Sequence, residues 1–214
     1  MFTGIIEEVG KITRIAHRQA NRRLTVSANR LTKELHKGDS IAVSGVCLTV
    51  VDVSPKSFAT DLAEETWTRT SFSRLHEGAR VNLELPMRAD GRFGGHLVQG
   101  HADGTGEFVA LVPIPEADDY WLRIEIPPGL ARYVIFKGSL CIEGISLTVA
   151  RIEGNEVTAA IIPHTAQMTN LTTLKPGDPV NLEVDMIAKY VEKMMHGESS
   201  NPPITLEHLI RQGF

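Results

Sequence analysis

A chain of 214 residues, 42% hydrophobic and 22% charged, with a formal net charge of −4 at pH 7, has the composition of a soluble globular protein with one large core or two small ones. The negative balance provides neither a basic stripe for nucleic acid nor a polybasic anchor for a membrane surface, so no nucleic-acid partner and no membrane partner are expected. Small-molecule partners are favoured instead.

The first segment, MFTGIIEEVG, lacks the charged region and the apolar stretch of a signal peptide, which predicts a cytoplasmic location. The longest apolar run, at 41–53, is interrupted by Ser, Gly and Thr and is shorter than the roughly 18 residues that span a bilayer. The two cysteines, Cys47 and Cys141, form no Cys-x-x-Cys pair and no cluster with histidines. Neither a disulfide framework nor a metal site is therefore expected.

Short apolar runs separated by Gly, Asn, Asp and Pro follow one another through the first half of the chain. They include RLTVSA, SIAVSG, CLTVVDV, SFATDL and VNLEL. About six strands at this spacing indicate an antiparallel barrel or sandwich, of which we favour the six-stranded barrel. Short helical stretches are predicted around 29–35 and, in the second half, around 129–134.

The second half of the chain repeats the first at a shift of 99 residues. SGVCLTV at 44–50 aligns with EGISLTV at 143–149, and EGARVNLEL at 77–85 aligns with PGDPVNLEV at 176–184. A period near a hundred residues is too long for a solenoid or a propeller blade, so it indicates a tandem domain duplication. The predicted fold is all-β: two tandem, homologous, six-stranded antiparallel Greek-key barrels, with domains at 1–96 and 97–186, followed by a C-terminal α-helix.

Apolar residues recur at helical spacing from Ile187 to Met195, after Asp185 as a candidate N-cap. A free helix of about ten residues is marginal in water, so its apolar face is expected to pack on another surface. An equivalent helix of another subunit and the protein's own barrel are both open. We interpret 187–214 as a helix and tail for oligomerisation, with a second short helix at 205–212.

The repeated peptide places small polar side chains on the outside of each barrel. Strand alternation directs Cys47 and Thr49 outward in the first copy, and Ser146 and Thr148 outward in the second. Because each pair follows a glycine that lets a ligand approach the backbone, the pairs could contact a ligand. They could equally be ordinary solvent-facing residues.

A glycine-rich segment, GRFGGHLVQGH at 91–101, joins the two repeats and has no GK[ST] ending, so it is not a P-loop. Its histidines, His96 and His101, lie five residues apart, which in an extended chain sends them to opposite faces and argues against a shared metal. For His96 a structural role is at least as well supported as a chemical one. His101 is the better functional candidate because it aligns with Ile5 of the first repeat and can move protons near neutral pH.

Six segments resemble, in order, those of riboflavin synthases of the trimeric, two-barrel type. They are MFTGII, SGVCLTV, GRFGGHLVQGH, KGSLCIEGISLTV, IIPHT and VNLEVDMIAKYV, and they cover almost the whole chain. The resemblance implies a transferase that moves a four-carbon unit between two molecules of 6,7-dimethyl-8-ribityllumazine, giving riboflavin and 5-amino-6-ribitylaminouracil. It also implies no cofactor, a homotrimer, and lumazine synthase as a candidate partner.

The resemblance further implies a substrate site in each barrel. The first site comprises Gly4, Ile5, Ile6, Cys47, Leu48, Thr49, Asp61, Leu62, Ala63, Glu64, Glu65 and Thr66. The second comprises Gly100, His101, Ala102, Lys137, Ser146, Leu147, Thr148, Ile161, Ile162, Pro163, His164, Thr165 and Ala166. His101, Ser146 and Thr148 are the expected proton-transfer groups, whereas Cys47 is either a nucleophile or a polarizable wall.

Two positions depart from the family pattern as we read it. Glu143 stands where Asp is expected, and Ser44 where Asn is frequent. We expect the longer Glu143 side chain to alter how the second site holds its ring.

Two other functions compete with catalysis. A noncatalytic lumazine or flavin carrier shares the fold, but such carriers tend to lack the Gly-Gly-His segment and the cysteine that this chain has at 94–96 and at Cys47. A barrel that binds single-stranded nucleic acid needs aromatic residues on a basic face, whereas aromatic residues are only 6% of this negatively charged chain.

Overall fold

The computed structural model describes residues 1–18, 21–115 and 117–195. The first barrel consists of β1 (Glu8–Arg18), β2 (Asn21–Ser27), β3 (Ser40–Val43), β4 (Val46–Ser54), β5 (Ser57–Ala63) and β6 (Arg80–Glu84). These strands close in the order β1-β2-β5-β4-β3-β6, with antiparallel neighbours.

The second barrel repeats this arrangement. Its strands are β7 (Gly104–Pro113), β8 (Tyr120–Glu125), β9 (Ser139–Ile142), β10 (Ile145–Glu153), β11 (Glu156–Ile161) and β12 (Pro179–Val184). The closed order β10-β11-β8-β7-β12-β9 is the same circuit started at a different strand. The predicted pair of six-stranded antiparallel barrels is confirmed.

In the described part of the chain, four α-helices and three 3₁₀ turns connect or follow the strands. The helices are α1 (Glu64–Arg69), α2 (Pro128–Ala131), α3 (Pro163–Gln167) and α4 (Met186–Met195). The 3₁₀ turns are Leu31–Lys33, Ser71–Arg74 and Leu171–Thr173. The helix predicted at 29–35 is therefore one 3₁₀ turn, the predicted C-terminal helix is α4, and the helix predicted at 205–212 lies outside the described residues.

Strand alternation gives each barrel its own core. Leu48 and Val50 point inward from β4, as do Leu147 and Val149 from β10, and all four are buried. The buried side chains divide into one cluster within each barrel. Because burying one large aliphatic side chain contributes about 1.5–3 kcal/mol, each barrel has enough apolar burial for a core of its own.

The barrels meet at two tight hairpins, one between β3 and β4 and one between β9 and β10. Ser44 and Gly45 have φ angles of 43° and 79°, and Glu143 and Gly144 have φ angles of 50° and 82°. Two successive positive φ angles define the type I′ turn, whose twist suits a β-hairpin. A Cβ on Gly45 would lie 2.7 Å from the backbone nitrogen of Gly144, so only glycine lets the two turns pack against each other.

Reciprocal hydrogen bonds join the barrels around these hairpins. The side-chain amide of Asn82, on β6, donates to the Glu143 carbonyl at 2.9 Å, and that of Asn181, on β12, donates to the Ser44 carbonyl at 2.8 Å. Asn82 and Asn181 occupy the same position in the two repeats. The junction therefore has approximate two-fold symmetry.

One carboxylate breaks this symmetry. Glu143 is fully buried, and it accepts hydrogen bonds from Ser71 Oγ at 2.7 Å and from the Asn181 backbone N–H at 2.8 Å. Arg74 Nη2 forms an ion pair with it at 2.8 Å, and the Asn170 amide donates at 2.9 Å. The Glu143 carboxylate therefore lies inside the junction, and its effect on the second site stays a prediction.

Candidate functional site

Two extended segments lie side by side between the barrels. We call residues 1–5 the N-terminal strap and residues 96–102 the linker strap. The backbone N–H of Phe2 donates to the Val98 carbonyl at 2.7 Å, and the N–H of Val98 donates back to Phe2 at 3.2 Å. The Phe2 and Val98 side chains are buried in a small cluster with Ala42 and Cys141, which fixes the straps between the outer faces of the two barrels.

Each barrel presents one row of side chains to the straps. Glu84, Ala42 and Cys47 are cross-strand neighbours on β6, β3 and β4 of the first barrel. On the second barrel, the corresponding row comprises Glu183, Cys141 and Ser146. These are outward-facing positions, as strand alternation predicts for Cys47 and Ser146.

The straps pair with these rows in a crossed manner. The backbone N–H of Ser146 donates to the Gly4 carbonyl, and the N–H of Cys47 donates to the Gly100 carbonyl, both at 2.8 Å. Gly4 and Gly100 have φ angles of 75° and 81°. A Cβ on Gly4 would lie 2.7 Å from that of Ser146, and one on Gly100 would lie 2.6 Å from that of Cys47. Both positions therefore require glycine.

The crossing corrects the predicted grouping of the site residues. Gly4, Ile5 and Ile6 were expected beside Cys47, but Gly4 contacts Ser146 and Ile6 packs against the core of the second barrel. Gly100, His101 and Ala102 were expected beside Ser146, but Gly100 contacts Cys47 and Ala102 packs against the first core. Internal alignment finds the equivalent positions, but it does not reveal which barrel a strap touches.

The remaining predicted residues lie in the barrels to which they were assigned. Leu48, Leu62, Leu147, Ile161 and Ala166 are buried in the cores, so only their backbones could meet a ligand. The exposed or half-exposed members are Thr49, Asp61, Ala63, Glu64, Glu65 and Thr66 in the first barrel, and Thr148, Ile162, Pro163, His164 and Thr165 in the second. These residues lie on β4 and β10 and at the β5–α1 and β11–α3 junctions.

His96 lies directly behind Ser146. From the sequence, a structural role for this histidine is at least as well supported as a chemical one. His96 Nδ1 is 2.6 Å from Ser146 Oγ, and the histidine backbone N–H donates to Thr3. Burial lowers the pKa of His96, which favours the neutral ring, and in the tautomer with its proton on Nε2 the ring can accept the serine proton at Nδ1. The available signal for His96 in the sequence was the glycine before it. In the structure this residue, Gly95, packs so closely that a Cβ would lie 2.0 Å from the Thr3 carbonyl.

Two buried carboxylates were missed by the sequence analysis. Glu84 and Glu183 are 4% and 2% exposed and accept backbone hydrogen bonds from the straps. Burial raises the pKa of each, although the strap N–H groups partly offset this effect. The glutamate that ends both copies of VNLE was the available signal.

Lys137 adopts a left-handed backbone conformation, with φ at 63°. Its N–H donates to Val149 at 2.9 Å, as the N–H of the corresponding Gly38 donates to Val50 at 2.8 Å. A left-handed non-glycine residue costs about 1–2 kcal/mol, and glycine occupies the corresponding position of the first repeat without that cost. Its neighbours Ile135 and Phe136 are also exposed.

One charged pair on the first barrel has no charged counterpart on the second. Arg23 donates to both oxygens of Asp61 at 2.6 and 2.7 Å, and this pairing lowers the pKa of Asp61. In the second barrel the positions of Arg23 and Asp61 are occupied by Trp121 and Ala160, which pair in the same way. The equivalent positions of the two barrels therefore differ in charge.

A cavity of about 900 Å³ lies beside the N-terminal strap, between the rim at Gly38 and Ser40 and the segment after β6. Glu7 and Glu34 line it. On the second barrel, the corresponding Asp103 and Tyr133 instead hold α4, through Lys189 and Glu192. Because α4 occupies the corresponding place on the second barrel in the described residues, we place the paired candidate sites on the outer faces at Cys47 and Ser146.

In the described part of the chain, no three His, Cys, Asp or Glu side chains are grouped to hold a metal. Within the same residues, no helix is both long and apolar enough to cross a bilayer.

Comparison with known proteins assigns the repeat to a family. Residues 3–86 and 99–185 each match the model of the lumazine binding domain. The riboflavin synthase of Actinobacillus pleuropneumoniae is 45% identical, and that of Bacillus subtilis 40% identical, over the full length of both chains. The riboflavin synthase of Mycobacterium tuberculosis is 46% identical over 91% of this chain and 98% of its own.

Solved structures with the same fold contain related ligands. The structure of LumP complexed with riboflavin has a TM-score of 0.79 at 26% identity and covers 86% of this chain and 99% of its own. LumP complexed with 6,7-dimethyl-8-(1'-D-ribityl) lumazine has a TM-score of 0.77 with the same identity and coverage.

Proposed function

The chain belongs to the riboflavin synthase family, and we propose that it converts two molecules of 6,7-dimethyl-8-ribityllumazine into riboflavin and 5-amino-6-ribitylaminouracil. The observation that supports this most directly is the pair of equivalent outer-face sites at Cys47 and Ser146, each completed by a glycine strap. Two such sites suit a reaction that consumes two molecules of one compound. Holding both rings in place removes much of the entropic barrier to a bimolecular step.

We assign proton transfer to the second site. The Ser146 hydroxyl is half-exposed on the outer face and is backed by the neutral ring of His96. When Ser146 Oγ takes a proton from the 7-methyl group of a bound lumazine, its own proton passes to His96 Nδ1, and the serine is left neutral. Thr148 lies next to Ser146 on the same face and can hold the ring by a hydrogen bond.

Among the remaining groups, His101 can also take part in proton transfer, and the others serve binding. His101 is exposed on the linker strap beside Cys47, where it can exchange a proton with the ring of the first site. We assign Cys47 as a polarizable wall, because its counterpart is Ser146 and Gly100 packs against its Cβ. Thr66 and Thr165 suit the ribityl hydroxyls, whereas Asp61 is already engaged by Arg23 and would have to share its oxygens.

A direct test is to incubate the purified protein with 6,7-dimethyl-8-ribityllumazine alone and follow riboflavin by absorbance and fluorescence. The proposed reaction yields one riboflavin and one 5-amino-6-ribitylaminouracil for every two lumazines consumed. A noncatalytic carrier is the second candidate, because the LumP structures share this fold. Tight binding with unchanged lumazine would favour the carrier and rule out the synthase.

We further propose that the protein is a homotrimer in which α4 packs against other subunits, so that a first site and a second site from different chains face each other. On its own barrel, α4 is held by polar contacts, from Lys189 to Asp103 and from Glu192 to Tyr133. Its apolar residues Ile187, Tyr190, Val191, Met194 and Met195 are all exposed. This arrangement favours intersubunit packing over the intrachain alternative.

Replacing Met194 with Asp is expected to lower both the sedimentation coefficient and riboflavin formation. A charge in an apolar helix interface is costly, whereas Met194 in a monomer is 78% exposed and tolerant. Lys193→Ala, on the polar side of α4, changes the net charge equally and is the matched control. Unchanged sedimentation of Met194→Asp would contradict packing between subunits.

The family resemblance also suggests lumazine synthase as a partner and the cytoplasm as the location. Copurification of the two synthases and cell fractionation would test these two predictions.

A further inference from the structure

Glu84 and Glu183 occupy the same position in the two repeats and bind the two straps in the same way. Glu84 accepts from the N–H and the hydroxyl of Thr3 at 2.6 and 2.8 Å, and from the Gly4 N–H at 3.0 Å. Glu183 accepts from the N–H groups of Gln99, Gly100 and His101 at 2.6, 2.9 and 3.0 Å. Each carboxylate thus receives three donors and is almost fully buried.

The glycine held by each carboxylate is also the residue that completes a candidate site. Gly4 donates its N–H to Glu84 and accepts, through its carbonyl, from Ser146. Gly100 is bound in the same way by Glu183 and Cys47. The connection from Glu84 therefore runs from the first barrel to the second, and the connection from Glu183 runs from the second barrel to the first.

We propose that Glu84 and Glu183 are positioning residues, each of which holds in place the strap of the ligand site on the opposite barrel. The role of the two outer-face positions as ligand sites rests on the proposed function. The hydrogen bonds from the straps to Glu84 and Glu183 do not depend on it. Hydrogen bonds to a charged acceptor are stronger than those between neutral groups, and a carboxylate can accept all three donors at once. A glutamine amide in the same place would turn an N–H donor toward at least one strap N–H.

Cysteine accessibility provides a readout for one site at a time. Cys47 is partly exposed next to Gly100, whereas Cys141 is buried. The test therefore measures the rate at which iodoacetamide alkylates Cys47 in the ligand-free full chain. Glu183→Gln should accelerate alkylation about tenfold or more, the factor expected on loss of one hydrogen bond to a charged group. Glu84→Gln, the matched control, should accelerate alkylation of Cys47 less than Glu183→Gln does, because Glu84 binds Thr3 and Gly4 and makes no hydrogen bond to Gly100.

Moving the thiol reverses the expectation. In the double variant Cys47→Ser, Ser146→Cys, alkylation reports on the second barrel, so Glu84→Gln should now accelerate it more than Glu183→Gln does. Equal effects of both glutamate variants on both reporters, or no effect of either, would overturn the proposal. If Glu183→Gln does not fold, Glu183→Asp is used in its place, because the shorter aspartate side chain cannot reach all three strap donors. Unchanged alkylation of Cys47 in Glu183→Asp would also count against the proposal.

The proposed function and this inference can fail separately. If wild type forms no riboflavin but the alkylation pattern holds, the synthase proposal fails and the positioning role remains. If wild type forms riboflavin and the pattern is absent, only the positioning role is lost.

Discussion

Replacing Ser146 with Ala is expected to lower the turnover number for riboflavin formation by about one to three orders of magnitude, the range expected when a positioned proton-transfer group is lost. Ser146 is half-exposed on the second outer face, and its hydroxyl is hydrogen-bonded to buried His96. Alanine keeps the strand and the backbone contact with Gly4, so binding should change less than turnover. Steady-state kinetics with saturating lumazine, together with riboflavin titration, separates the two effects.

Cys47→Ser is the matched control, because it places the second repeat's residue at the equivalent position of the first. In the described residues, the Cys47 side chain has no histidine behind it, so we expect a smaller loss of turnover. His96→Gln should resemble Ser146→Ala, and the double variant should be little worse than either single one, since both remove the same relay. His101→Gln should also lower turnover. An inactive Cys47→Ser, together with near-normal Ser146→Ala and His101→Gln, would instead identify the thiol as the catalytic group.

Glu143→Gln should lower the free energy of unfolding by about 3–5 kcal/mol, the usual effect of breaking a buried ion pair by removing one partner. The substitution leaves the guanidinium of Arg74 largely buried without its counter-charge, and it presents an amide to donors from Ser71 and Asn181. Urea denaturation monitored by far-UV circular dichroism measures the change. All variants must be compared at one protein concentration, since association would stabilise the folded state.

Glu156→Gln is the control for the removal of charge. Glu156 pairs with Arg123 through two hydrogen bonds of 2.7 and 2.8 Å, but this pair lies at the surface. Its loss should lower the free energy of unfolding by less than about 1 kcal/mol. Equal destabilisation by the two variants would show that the junction does not depend on the buried charge of Glu143.

The barrels were predictable because their signals are local and occur twice. Neighbouring positions in the sequence are enough to show the alternation at 46–50 and 145–149 and the turn residues between the runs. The 99-residue shift then shows the same local signals a second time. The helical period after Asp185 is equally local, and it correctly predicted α4.

The arrangement of the site was only partly predictable, because it depends on contacts between the repeats. Alternation identified Cys47 and Ser146 as outward-facing, but nothing in their own repeats indicates that Gly100 and Gly4 cross over to them. The pairing of His96 with Ser146 spans 50 residues and has no periodic signal. The burial of Glu143 in the junction was not predictable, because the sequence shows its place in a hairpin and not the barrel packed behind it.

The crossed straps also match the arrangement that fusion of two identical subunits would produce. At the junction, Asn82 contacts the Glu143 turn and Asn181 contacts the Ser44 turn, the reciprocal pattern of an isologous interface between identical subunits. Joining the two subunits of a strap-exchanged homodimer into one polypeptide would leave this junction. Once both copies were encoded separately, each could change alone, which accounts for a thiol in one copy, a hydroxyl in the other, and a single buried charge at their shared axis.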